Sequence, residues 1–209
     1  MTIPPSTPAV ALLPTHPFSP LIEHAIRVAA RAHRHDVRKG SDIPYLSHSA
    51  SVALLLERVG ISDDQILAAA LLHDVVEDTA VTLEDLARDF PPTVVQLVEG
   101  LSERKLDVQG NTRPWHDRKV EHLKVVATAT FGVRAIVLAD KLHNLGTMVF
   151  DIEQGEPIWQ RFNATRADIL WYQQEMLKAA DHGEPELVPL VAACLQFIER
   201  LRALPLDDA

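Results

Sequence analysis

The segment LLHDVVEDT, residues 71–79, sets His73, Asp74, Glu77 and Asp78 directly behind an apolar run of Ile66, Leu67, three alanines and two leucines. Imidazole and carboxylate side chains bind transition metals and move protons. On a continuous helix each residue advances by about 100°, so His73 would stack with Glu77 and Asp74 with Asp78, and the four would share one stripe. A helix ending in a solvated turn explains the polarity but not its sign, because carboxylates near a helix C-terminus are disfavoured by about 0.3–1 kcal/mol each. No lysine or arginine lies between Gln65 and Glu84. The compensating charge must come from elsewhere in the fold or from a bound cation, and imidazole plus carboxylate suits Mn²⁺, Fe²⁺ or Zn²⁺.

Two adjacent residues cannot enclose a metal, so further ligands are required, and two positions stand out. Asp140 directly follows five apolar residues in AIVLADKLHN, where an unpaired buried carboxylate would cost several kcal/mol. His48 follows IPYLS at the expected start of a helix. The three segments AHRHDVRKGSDIPYLSH, AAALLHDVVEDT and VLADKLHNLGT occur in that order across roughly residues 32–147. Together they resemble the HD superfamily of metal-dependent phosphohydrolases and, more closely, the hydrolase domain of the RelA/SpoT alarmone proteins.

The resemblance implies an all-α HD-domain bundle with a metal site between its central helices. His48, His73, Asp74 and Asp140 would be the ligands, with Mn²⁺ the expected ion. Glu77 and Asp78 match the family's catalytic acidic pair, which orients or deprotonates the attacking water. Arg38 and Lys39 match a pair that packs on the base and contacts phosphate, and Lys141, Asn144 and Thr147 would extend the pocket. The implied reaction is hydrolysis of the 3′-pyrophosphate of (p)ppGpp to GDP or GTP and pyrophosphate. An adenosine analogue such as (p)ppApp, or another phosphorylated nucleotide, is the alternative substrate. A nucleotide-sensing HD module without turnover is the non-enzymatic alternative, and the presence of all four ligands and both acids argues against it. Two departures stand out. Ser49 replaces a common proline and is expected to be harmless, whereas Gly146 replaces a usual arginine and is expected to remove a cation close to the site.

Other polar residues are expected to be structural. His33 and His35 read as helix-end histidines, and His143, three residues after Asp140, as a support for the site or a surface residue. Arg104, Lys105, Arg118 and Lys119 flank a polar loop over about 102–118 and read as a solvated charge run. Trp159, Phe162, Trp171 and Tyr172 have helical spacing and read as core.

These residues need a helical frame. The chain has 209 residues, 47% hydrophobic and 5% aromatic, with alanine and leucine at helical spacings and almost no Val/Ile/Thr alternation, which predicts an all-α fold. Residues 1–19 read as a proline-rich tail and 20–209 as one hydrolase domain, too short to include a synthetase or regulatory domain. Helices are expected from Pro20 to His35, over LSHSASVALLLERV with a stop at Gly60, and from a Ser62/Gln65 capping box through the HD segment. Further helices are expected after Thr82, from Pro91–Pro92, from near Trp115, from Phe131 to about Asp151, and over two amphipathic C-terminal segments. A net charge of −9 excludes a broad nucleic-acid or anionic-membrane surface. The single cysteine, Cys194, lies in an apolar run and reads as a buried thiol, which fits a reducing cytoplasm. No segment reads as a signal peptide or membrane span. The last two helices could form a homo-oligomer seam as readily as a core.

Overall fold

Ser19 opens the first helix, its hydroxyl accepting the Ile22 amide while Pro20 fills a first-turn position that needs no N–H. The computed structural model describes residues 18–204, so residues 1–17 of the expected tail lie outside the described residues. The first helix, α1 (Pro20–Ala32), stops at His33 rather than His35, where the chain turns and the Asp36 amide donates to the His33 carbonyl. The second, α2 (Leu46–Arg58), carries His48 and ends two residues before Gly60, whose φ of +86° is a left-handed turn that glycine adopts without strain.

The HD segment departs from the expected single helix. Helix α3 (Asp64–Leu72) is capped by Asp63, which accepts from the Gln65 and Ile66 amides, so the cap lies one residue beyond Ser62. The helix then pauses at His73 and Asp74, and a short α4 (Val75–Asp78) follows. Asp74 has ψ of −5°, which tilts the backbone before α4. His73 and Asp74 therefore form a bend, and the four polar groups do not share one straight stripe.

Thr82 and Asp85 form a capping box at the start of the expected helix α5 (Leu83–Asp89), and Pro92 starts α6 (Pro92–Leu101). The connection after α6 is folded on itself, with Asp107 accepting from the Gln109 and Asn111 amides and an isolated bridge between Leu106 and Thr112. It leads to α7 (Trp115–Val126) and then to the central α8 (Phe131–Glu153). A 3₁₀ turn (Ile158–Arg161) interrupts the first amphipathic C-terminal segment before α9 (Arg166–Ala180), which has its own Thr165/Asp168 capping box; α10 (Val188–Ala203) completes the order.

Residues Gly132 to Ala139 of α8 are buried without a break, because α2, α3, α6, α9 and α10 all pack on this helix. The stretch is apolar except for Arg134, whose guanidinium is paired with Glu184, and a helix buried all round belongs at the centre of a bundle. Cys194 is fully buried on α10 and points its thiol at the Leu138 carbonyl, 3.7 Å away. Among the described residues there is no strand longer than an isolated bridge, and no helix is long and apolar enough to cross a membrane.

Candidate active site

Three central elements deliver the four residues expected as metal ligands. His48 comes from α2, His73 and Asp74 from the bend between α3 and α4, and Asp140 from the middle of α8. His48 Nε2 lies 3.2 Å from His73 Nε2, 3.1 Å from Asp140 Oδ1 and 3.6 Å from Asp74 Oδ2. His73 Nε2 lies 2.9 Å from Asp74 Oδ2 and 3.9 Å from Asp140 Oδ1. Donor atoms held about 2.0–2.2 Å from one ion are roughly 3–3.5 Å from each other; the His48–His73, His48–Asp140 and His73–Asp74 pairs have about that spacing, while His48–Asp74 and His73–Asp140 are wider. His73 Nδ1 faces the Ala70 carbonyl at 2.8 Å; a carbonyl only accepts, so in the neutral ring the proton sits on Nδ1 and the lone pair is on Nε2. The donor atoms of His48, His73 and Asp74 lie close enough together to hold a divalent metal ion, and Asp140 adds a carboxylate oxygen against His48.

The same convergence sets the local electrostatics. Burial disfavours charge on His73, but Asp74 and Asp140 outweigh it and push its pKa up to about 9. Burial would raise Asp74 and Asp140, yet His73 holds Asp74, and Lys141 with the two histidines holds Asp140, below the usual carboxylate range. Lys141 is desolvated too, but the Asp140 carboxylate 2.8 Å away raises its pKa above the ordinary lysine value. The cluster thus demands positive charge, and a proton and a metal ion compete for the same nitrogen lone pairs. Tyr45 donates its hydroxyl proton to Asp74, and Asn144 donates to Asp140, so each acidic ligand is oriented by a second side chain.

These four residues form one side of a cavity of about 260 Å³ whose wall also includes Arg38, Tyr45, Glu77, Asp78, Glu103, Lys105, Lys119, His122, Lys141, Asn144 and Tyr172. A larger but shallow hollow on the outer face of α7, between Arg113, His116 and Lys124, holds no comparable ligand set. Glu77 and Asp78 stand on α4, one turn past the ligands. Glu77 accepts the Glu103 amide at 3.1 Å and faces Lys105 Nζ at 3.2 Å, while Asp78 accepts from the same ammonium. Burial raises the Glu77 pKa, and Lys105 partly opposes that rise.

Of the expected substrate contacts, Arg38, Lys141 and Asn144 meet in the cavity, with Arg38 donating to the Asn144 side-chain oxygen at 2.8 Å. Lys39 and Thr147 are off its wall. Lys39 is exposed, with its ammonium 5.5 Å above the Phe162 ring, and the Thr147 hydroxyl donates to the Asn144 carbonyl. Gly146 faces away as well: a Cβ there would meet the Phe197 ring on α10 at 3.6 Å.

Some of the residues expected to be structural are placed differently from their reading in the sequence. Lys105, Arg118 and Lys119 are not a solvated charge run, because nearly buried Glu103 binds Arg118 and Lys119 while Lys105 turns to α4. Tyr172 is buried as a core residue would be, but its ring also carries Lys119 Nζ at 4.7 Å and Lys141 Nζ at 5.4 Å, and its hydroxyl meets His122. His33 is a helix-end histidine, bonded to Asp36 and stacked on Tyr45, and His35 is exposed.

A family model described as an HD domain matches residues 25–170, most of the chain, and the chain therefore belongs to the HD-domain family. Among curated relatives, it is 42% identical over 127 residues to a GTP pyrophosphokinase of Streptomyces coelicolor, covering 61% of this chain and 14% of that protein. It is 40% identical over 119 residues to human guanosine-3′,5′-bis(diphosphate) 3′-pyrophosphohydrolase MESH1, covering 56% and 63% respectively. The chain thus spans less than two thirds of the length of these relatives. Among solved structures, a metazoan ortholog of SpoT that hydrolyzes ppGpp matches 92% of this chain and 100% of its own, with a TM-score of 0.73 and 29% identity.

Proposed function

We propose that this chain is a metal-dependent hydrolase that removes the 3′-pyrophosphate of (p)ppGpp, releasing GDP or GTP and intact pyrophosphate. The observation that carries the reading is the placement of Glu77 and Asp78 in the same cavity as the His48, His73, Asp74 and Asp140 cluster, with Arg38 and Lys141 on the adjoining wall. The likeness to the human hydrolase and to the SpoT ortholog supports the substrate class. Mn²⁺ is the ion we assign to the four ligands, since the donor set is nitrogen and oxygen with two carboxylates. Such an ion supplies Lewis acidity toward a phosphoryl oxygen and makes water more acidic.

The chain's own residues perform the rest. Glu77, its pKa raised by burial, is a stronger base than a solvated carboxylate and takes a proton from water, and Asp78 aligns that water. The water oxygen forms a bond to the phosphorus attached to O3′, the O3′–P bond breaks, and a proton returns to O3′. Arg38 and Lys141 balance the diphosphate charge at close range, which a protein of net charge −9 needs. GTP has a free 3′-hydroxyl and therefore nothing to place there.

The test is incubation of the Mn²⁺-loaded protein with ppGpp, ppApp, NADPH, GTP and nucleoside monophosphates. The expected products from ppGpp are GDP and pyrophosphate, with GTP untouched. Release of single orthophosphates, or preference for a 5′-monophosphate over every 3′-diphosphate, would overturn the reading. His73→Ala and Asp140→Ala should each lose both bound metal and activity.

A further inference from the structure

His48 and His143 meet through their Nδ1 atoms at 2.8 Å, with their rings tilted by 49°. Two ring nitrogens at that distance must share one proton, because two lone pairs would repel and two N–H groups would collide. The opposite edge of His48 decides which ring owns it. There Nε2 faces Asp140 Oδ1 at 3.1 Å and His73 Nε2 at 3.2 Å. A neutral imidazole has one N–H, so His48 presents a lone pair at Nε2 only when its proton is on Nδ1.

We propose that His143 is a positioning residue for the metal site: by accepting the Nδ1 proton of His48, it fixes the tautomer and ring orientation in which His48 Nε2 can bind a divalent cation. The inference rests on the metal-site reading above and adds to it. The two histidine ligands differ in how they are oriented. His73 uses the Ala70 carbonyl, an acceptor that no side-chain substitution at position 70 removes. His48 relies on a side chain, so the identity of residue 143 matters. His143 lies one helical turn after Asp140 on α8, and this helix therefore supplies one ligand and aligns another. A shift of α8 along its axis would disturb both together.

The experiment compares Co²⁺ binding, followed by the ion's visible absorption, in the full chain and in His143→Leu, His143→Asn and His73→Ala. Leucine keeps bulk but removes the acceptor, whereas the asparagine side-chain oxygen reaches the position of Nδ1. Partners that orient a ligating histidine typically affect metal affinity by about 10–100-fold, so His143→Leu should bind Co²⁺ that much more weakly and His143→Asn within about threefold of the parent. Thermal melts check that each variant folds, and His143→Ala replaces the leucine variant if it does not. Unchanged Co²⁺ affinity in His143→Leu, or equal losses in the leucine and asparagine variants, overturns the positioning role. Retention of Co²⁺ by His73→Ala would instead overturn the metal-site reading beneath it.

Discussion

Lys105 holds its ammonium 3.2 Å from a Glu77 carboxylate oxygen, and the same nitrogen reaches Asp78. The connection after α6 thus places a cation on the two acids assigned to water activation. Burial raises the Glu77 pKa and Lys105 pulls it back, so removing the lysine lets it climb further. A higher pKa keeps Glu77 protonated, and unable to act as a base, to higher pH. The acid limb of the kcat profile in Lys105→Met is therefore expected to move to higher pH, with turnover at neutral pH reduced. A limb at the same pH in parent and variant would show that Lys105 does not tune this carboxylate.

Replacing the acids themselves separates chemistry from binding. Glu77 and Asp78 stand on α4 and are not among the four residues assigned to the metal, so Glu77→Gln with Asp78→Asn should leave metal content and nucleotide binding in place. Loss of general acid–base function should lower kcat by about 100-fold or more. Metal analysis and single-turnover assays on the same preparation provide the check, and parental turnover would assign water activation to another group.

The cluster we assign to the metal was legible as an anomaly because chemistry exposed it. A carboxylate after five apolar residues and an acidic run at the wrong end of a helix are costly unless something compensates them. The bend at His73–Asp74 was not legible, since each residue of that segment suits a continuous helix and tertiary contacts decide the local dihedrals. Asp63 and Ser62 both suit an N-cap, and only the observed bonds to the Gln65 and Ile66 amides separate them. The far wall of the cavity was hidden for another reason. Glu103, Lys105 and Lys119 gain meaning from partners distant in sequence, and Tyr172 has core spacing because it is buried, while still facing the site.

Arg38 and Lys39 look equivalent in sequence, and the geometry separates them. Arg38 is on the cavity wall, held by Asn144 and 5.7 Å above the Tyr45 ring, whereas Lys39 is exposed over Phe162. A charge-assisted hydrogen bond contributes about 1.5–3 kcal/mol, so Arg38→Ala should lower kcat/KM by roughly 10–100-fold. Lys39→Ala should cost less than about threefold, in keeping with an exposed charge. Steady-state kinetics on both variants decides it, and equal losses would bring Lys39 into contact with substrate.

Gly146 yields a prediction of opposite sign. It lies inside α8, where glycine is less favourable than alanine by about 0.8–1 kcal/mol. A Cβ at this position would meet Phe197 at 3.6 Å, an ordinary van der Waals contact, so no clash offsets the gain. Gly146→Ala should therefore raise the melting temperature by roughly 2–4 °C, the shift that about 1 kcal/mol produces in a chain of this size. Because the position faces α10 rather than the cavity, kcat and KM should stay at parental values. A stable variant with impaired turnover would place residue 146 among the groups that sense the substrate.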